Sequence, residues 1–534
     1  MSRHWALAAL LACLLPALLA FTTQPGLASF GDDSVSYLVL AHRFAGDASP
    51  AAAWAPYFGH FPPLFPLLLA LVGADVARAH ALVGVLAALG AAAIYAHAWA
   101  VHRDRAAALG LAILFFLLPT AWISAKGILS EPLFLVLMLT TLAYHQARIA
   151  SGPATNRDWA VVGVLLAASL LTRLAALPLP AAFAVRLAIT QRRERRFAAA
   201  PWALAFLPSV AAVGTWLWLH PHIENDPYRR AAASVPHHWI LNPREAATAS
   251  ATDLFDAWVS TFTADPGVSP VTRALIALIG VAAIVGAIRA VRANRADGWY
   301  ALGALAFFAG WLFDGDSLRR LLHPVVPVLL LLAGEAVAAL ATARLTAPRV
   351  RLAVAVGAAA AGLLAIPAFL LVVSKAGERA PVLPGFPARY SDITDYYTTA
   401  NIDRARAIAA RQSAVLSGLE AVGQVAPANA RIAWMRPEYV ALLAGREAIP
   451  YYYAWDARRF AEEMRARKVA FIVDARLHKT DLGGASGDPS ALMAAARAYA
   501  RPVLSVPNAV TGGEDFALLA IDPNRLAAAL DAPR

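Results

Sequence analysis

Cysteine is nearly absent from this chain: one residue, Cys13, in 534. A lone thiol excludes a disulfide framework and a multi-cysteine metal site within the chain. Charge is scarce as well. Asp, Glu, Lys and Arg make up 15% of the residues, against about 25% in soluble globules. No internal repeat is evident. What is there instead is apolar: 59% hydrophobic residues and a mean hydropathy of +0.56. That excess points to an integral membrane protein. The formal net charge is +11, but the basic residues do not form one continuous tract. Many sit in short gaps between apolar runs, as cytoplasmic loops do, so nucleic acid is not the expected partner.

A helix needs about 20 apolar residues to cross a bilayer. By that criterion about eleven spans are expected, near 5–21, 79–100, 106–120, 131–148, 159–175, 176–190, 200–219, 271–290, 298–313, 319–341 and 351–373. The first follows Arg3 and His4 and also reads as a signal peptide; a retained anchor is the preferred reading. "PPLFPLLLALVG" (62–73) is too short to span and reads as a re-entrant or interfacial helix. The arginine-rich gaps "HRDR" (102–105), "QRRERRF" (191–197), "RAVRANR" (289–295) and "RLTAPRVR" (344–351) fall on one side if the spans alternate. Positive-inside bias makes that side cytoplasmic. Segments 22–78, 121–130, 220–270 and 314–318 then lie outside.

Two domains are expected: a multi-pass all-α membrane domain over 1–373, with outer loops 22–78 and 220–270, and a soluble α/β domain over 374–534, also outside. In the tail, helical patterns such as "DARRFAEEMRARK" alternate with strand patterns: "RIAWM" (431–435), "VAFIVDA" (469–475), "PVLSV" and "DFALLAI" (515–521). That alternation predicts a partly parallel sheet. The tail has no G-x-G-x-x-G and no P-loop, so nucleotide binding has no support there.

Sorted by side, the polar residues gather outside. Asp32, Asp33, Arg43 and His60 lie in the first loop. Lys126 and Glu131 stand at the second, Arg173 near the tip of the third. Tyr228, Arg229 and Arg230 lie in the long loop; Asp314, Asp316, Arg319, Arg320 and His323 crowd the last. Arginine on the outer side runs against the positive-inside tendency, and its fork suits phosphate oxygens. Each residue also has a plainer explanation. Adjacent acids are often just solvated, Arg319 and Arg320 can anchor a helix end by snorkelling, and Glu131 can serve a helix N-terminus. Lys126 reads as interfacial. Glu335, inside "LLLLLAGEAVAAL", reads as structural, with a predicted depth near the cytoplasm. "HPHIEND" (220–226) has the residue types for zinc but no recognised spacing. Trp54, Tyr57, Phe58 and Phe61 suit sugar stacking, though aromatics also collect at membrane interfaces.

"GDDSVSYLVLAHRF", "HFPPLFPLLLAL", "ILSEPLFLVLMLTTLAY", "LTRLAALPLP" and "LRRLLHPVVPVLLLL", in that order, resemble the GT-C membrane glycosyltransferases. The nearest groups are the aminoarabinose and lipopolysaccharide-core transferases and the protein O-mannosyltransferases. The resemblance covers roughly the first 370 residues. It implies an inverting transferase in the inner membrane, taking a sugar from a polyprenyl-phosphate donor to a glycan, lipid or protein acceptor. It makes Asp32 and Asp33 the catalytic acids, with Asp32 favoured as base because the first acid of the pair usually serves. The family often has Asp-Glu where this chain has Asp-Asp. On this reading Arg319, Arg320 and Arg173 bind the donor phosphate. Arg43, His60, Glu131, Tyr228, Arg229 and His323 line the substrate cavity. No cofactor is implied, and a divalent metal stays open. The rival reading is a transporter or flippase of a lipid-linked sugar. Transporters place polar sites near the midplane on broken or repeated helices; here the polar residues gather outside.

Overall fold

The computed structural model describes residues 33–219, 227–265, 267–311, 315–342, 346–376, 401–451, 455–477 and 490–526, with a few isolated positions besides. The chain divides into two compact units, each discontinuous in sequence. The first gathers 1–22, 59–65 and 81–376; the second gathers 23–58, 66–80 and 377–534.

The first unit is a helical bundle, and the chain is a multi-pass membrane protein. Five helical stretches are long and apolar enough to span: Val76–His102, Leu174–Glu194, Ala199–Leu219, Pro270–Arg292 and Ala353–Leu371. A sixth arises if the bent pair Arg105–Leu117 and Pro119–Lys126 counts as one. The expectation of about eleven is therefore not confirmed. Four of the expected spans are short helices: Glu131–Tyr144 with 14 residues, Asn156–Thr172 with 17, Ala296–Trp311 with 16 and Val326–Thr342 with 17. Each falls short of about 20 residues. The stretch expected at 106–120 bends by 68°. Leu118 is extended there and Pro119 opens the next helix, as a residue before proline prefers. The segment 5–21 lies outside the described residues.

Local chemistry sets the ends. Asp104 starts Arg105–Leu117 by accepting from the backbone N–H groups of Ala106 and Ala107 at 2.9 and 3.2 Å. Thr155 and Asp158 form a reciprocal capping box at the start of Asn156–Thr172. Helices then approach closely where side chains vanish. A Cβ on Gly286 would run into the carbonyl of Leu332, and one on Gly163 into that of Leu204. Small residues at such crossings are how membrane helices gain packing contact.

The second unit holds the sheet. Strands β1 (Arg431–Trp434), β2 (Glu447–Pro450), β3 (Phe471–Ala475), β4 (Ala500–Pro507) and β5 (Glu514–Ile521) lie in the order β2-β1-β3-β5-β4. β1 runs parallel to both neighbours; β5 runs antiparallel to β3 and β4. The long helix Ile402–Val425 covers the sheet and contacts β4 and β5. Asn401 caps it, accepting from Arg404 N at 3.0 Å. The C-terminal region is thus the partly parallel α/β sheet that the alternation predicts, with one strand, β2, not anticipated. Helices Asp33–Phe44 and Pro50–Ala53 belong to this unit and pack on Pro437–Ala444.

Candidate active site

Glu131 opens its helix and is fully buried, at 0% exposure. A buried carboxylate needs paired charge or hydrogen bonds. Two arginines from distant helices supply both. Arg173 Nη1 lies 2.6 Å from Glu131 Oε1, and Arg320 Nε donates to the same oxygen at 2.8 Å. Arg173 sits just past Asn156–Thr172, where the chain turns extended; its Nη1 also donates to Ser130 Oγ at 3.3 Å. Arg320 lies near the end of Gly315–Leu322.

The neighbours extend this cluster. Arg319, beside Arg320, is buried and donates to the carbonyl of Ala264 at 3.3 Å. His323 is buried, and its ring lies 5.2 Å from that of Phe115. Its Nδ1 has no hydrogen-bond partner among the described residues, nor has Glu131 Oε2. Among the described residues one carboxylate and two guanidiniums thus meet in an enclosed place. Such a site can hold an anion, and the planar forks suit phosphate or carboxylate.

Asp33 begins the helix Asp33–Phe44 and is half-buried. Arg43 is exposed at its far end, about 15 Å along the axis at 1.5 Å per residue, so this helix does not bring the two together. His60 stacks with Phe61 at 4.4 Å between centroids. Asp32 and Asp314 lie outside the described residues. Tyr228 and Arg229 are in the helix Pro227–Leu241 and Asp316 in Gly315–Leu322, but their side chains also lie outside them. "HPHIEND" falls outside too. Among the described residues no three His, Cys, Asp or Glu side chains gather as metal ligands.

Lys126 is 1% exposed and ends the helix Pro119–Lys126, whose residues are all buried. Ser130 was not singled out at all; only its place beside Glu131 signals its contact with Arg173. Glu335, far along the bundle helix Val326–Thr342, has a separate network. It takes two hydrogen bonds from Arg295, at 2.7 and 2.8 Å, and lies 3.3 Å from His102. Arg295 also pairs with the buried Asp297.

No protein-family model matches the chain, and no curated protein is significantly similar to it in sequence. Solved structures are. ArnT from Cupriavidus metallidurans, in the apo state, superimposes with a TM-score of 0.55 at 13% identity, over 100% of both chains. The same protein bound to undecaprenyl phosphate gives 0.53 at 13% identity, again over 100% of both. The oligosaccharyltransferase of Archaeoglobus fulgidus, tethered to an acceptor peptide, gives 0.51 at 11% identity, over 97% of this chain and 74% of that one. The chain has the GT-C fold. The GT-C fold accounts for both parts of the molecule, since the likeness to ArnT runs through the bundle and the C-terminal sheet alike. At these identities the likeness is one of fold, and the chemistry has to be argued from the side chains.

Proposed function

We propose that this protein is an inverting glycosyltransferase of the inner membrane, moving a sugar from a polyprenyl-phosphate donor to an acceptor hydroxyl on the outer face. The observation that carries the reading is the convergence of Arg173 and Arg320 on the buried Glu131. It is supported by the binding of undecaprenyl phosphate to ArnT, which has the same fold. The donor is a phosphate ester in a lipid, and converging guanidinium groups in an enclosed place are the groups that would hold it.

The chemistry assigns the remaining roles. The acceptor oxygen attacks the anomeric carbon and forms the new glycosidic bond. The bond from that carbon to the phosphate oxygen breaks, and its electron pair leaves with the phosphate. Single displacement inverts the anomeric centre. The acceptor proton passes to a carboxylate, Asp32 or Asp33. The leaving phosphate needs no proton; Arg173, Arg320 and Arg319 neutralise its growing charge. Glu131 holds two of these cations in place, and His323, Arg43, His60, Tyr228 and Arg229 are assigned to the cavity. The C-terminal domain lies on the outer face, and the acceptor is a glycan, a lipid or a protein.

The test is purified protein offered a panel of labelled polyprenyl-phosphate sugars, with mass analysis of the acceptor. Asp32→Asn and Asp33→Asn are run in single turnover beside wild type. Loss of the base should slow transfer about 10²–10⁴-fold while undecaprenyl phosphate still binds, with the larger loss at Asp32. Near-wild-type turnover in both folded variants rejects the catalytic acids.

A further inference from the structure

A cavity of about 380 Å³ opens within the second unit, between the segment 48–57 and the edge strand β2. That volume is within the range of small-ligand sites. Its walls follow from local structure. Ser49 caps the short helix Pro50–Ala53, accepting from Ala52 N at 3.4 Å. A 3₁₀ turn, Ala55–Phe58, comes next. Tyr57 N donates to Trp54 O at 3.0 Å, and residues three apart in such a turn eclipse. The two rings therefore meet, with centroids 4.9 Å apart and planes tilted by 35°. Tyr57 is 61% exposed. A large aromatic held in the open, paired with a second ring beside a cavity, has not been placed there by core packing.

The opposite wall carries one charge. Glu447, on β2, is held by Arg431, whose Nε donates to Oε2 at 2.9 Å. Among the described residues no basic side chain lines the cavity. Among the described lining residues an anionic ligand would meet the Glu447 carboxylate, and the one guanidinium beside it, Arg431, is already engaged with that carboxylate. A neutral sugar meets what it needs: ring faces for its C–H surface, a fixed carboxylate and the Ser49 hydroxyl for its own hydroxyls.

We propose that this cavity binds a neutral saccharide unit of the acceptor, away from the reacting sugar. The inference rests on the transferase reading above. The cavity begins at Ala48, beyond the C-terminal end of the helix that Asp33 starts. On this reading the acceptor is a glycan of more than one residue, gripped on a unit other than the one that reacts. Binding energy gained on a remote, unreacting part of a substrate can serve the reacting end.

The experiment uses the full chain in lipid nanodiscs, since sugar-headed detergents would compete. Saturation-transfer NMR is recorded with maltohexaose, cellohexaose and mannohexaose, with glucose 6-phosphate and a lysine-rich peptide as controls. Undecaprenyl phosphate affinity is measured on the same samples. At least one neutral hexaose should bind, and Trp54→Ala and Tyr57→Ala should each weaken it by about tenfold, the scale of one lost aromatic contact. Glu447→Gln should weaken it less. Undecaprenyl phosphate affinity should stay unchanged in all three. The proposal is overturned if no neutral hexaose binds, if binding survives both aromatic substitutions, or if only the peptide or the phosphorylated sugar binds. Failure of wild type to bind undecaprenyl phosphate would count against the donor reading instead, so the two failures are distinguishable.

Discussion

Glu131 carries the tightest constraint at the scale of single residues. It has no exposure, and one of its oxygens serves two guanidiniums. Removing one partner from a buried ionic pair typically costs about 3–5 kcal/mol, since a charge is left without compensation. Here each arginine substitution leaves the other in place. Arg320→Ala and Arg173→Ala should therefore fold, and the loss should appear in the donor. A charge-assisted hydrogen bond contributes about 1.5–3 kcal/mol, or about one to two decades in affinity at 1.36 kcal/mol per decade. Affinity for undecaprenyl phosphate should fall by that factor in each variant. Glu131→Ala removes the buried carboxylate on which two guanidiniums converge and should cost stability first, read as a lower Tm. Unchanged donor affinity in folded Arg173→Ala and Arg320→Ala would leave these residues a purely structural ion pair. The sequence singles out all three of these residues, from charge on the outer side and from the order of motifs. Their meeting was not legible. Glu131 and Arg320 are 189 positions apart, and no local pattern encodes a contact of that range.

Elements were legible where their signal is local. The capped helices, the strands of alternating pattern and the short apolar run at 62–73, now the helix Leu64–Val72 of 9 residues, all carry it. β2 was not, because "EAIP" is four residues long and ends in proline, which suits only an edge. The number of spans expected from hydropathy is not confirmed among the described residues, because hydropathy measures apolar length and not where a helix stops. Close crossings were invisible too, and they yield a test. Gly286, on Pro270–Arg292, abuts the Leu332 carbonyl on Val326–Thr342, whereas Gly357 faces open space. Gly286→Leu should lower Tm by forcing two helices apart, an overpacking cost of about 1–3 kcal/mol or more. Gly357→Ala should be neutral or slightly stabilising, since alanine is the better helix former by about 1 kcal/mol. Equal melting behaviour of the two variants would contradict the crossing.

The sheet gives a second test among the elements. Arg497 Nε donates to Asp474 Oδ2 at 2.6 Å, and its Nη2 reaches Glu514, which also accepts from Ser505. These contacts tie the helix Ser490–Ala498 to β3 and β5. Burial pushes the Glu514 carboxyl up, but hydrogen bonds from Ser505 and Arg497 outweigh it and hold the group below its ordinary value. A carboxyl lowered on folding adds stability above its unfolded pKa of about 4.3. That stability is lost as pH falls through the folded value. Neighbouring Asp515 has the opposite sign, held up first by burial, so the comparison has to be made against a variant rather than across pH alone. The Tm gap between wild type and Glu514→Gln should be present at about pH 6 and close towards about pH 3. A gap that stays constant over that range would show that the carboxylate charge does not stabilise the sheet.

The whole molecule divides in a way that composition does not show. Apolar content drops after Val373, and a boundary drawn there separates lipid-soluble from water-soluble chain. Contact divides it otherwise, placing 23–58 and 66–80 with 377–534. The physical reason lies in the helix Asp33–Phe44. Val35, Leu38 and Val39 are fully buried, and the helix packs on Pro437–Ala444, where Tyr439 and Val440 are fully buried. Nothing in the residues around 33–44 names a partner 400 positions later, so this grouping was not legible in the sequence. It has a consequence for the C-terminal region as an isolated piece. A fragment of 377–534 would bare the apolar surface that Asp33–Phe44 and Pro50–Ala53 cover, at about 25 cal/mol for each Å² returned to water. It should express poorly, or melt below the same region in the full chain and bind a hydrophobic dye. A peptide of residues 23–58 added in trans should raise the melting temperature and suppress dye binding, by binding the folded form in preference to the unfolded. A fragment that melts as high as the full chain's domain, with no response to the peptide, would show that the first loop contributes nothing to the fold of the second unit. The acids at 32 and 33 would then be held by something other than this packing.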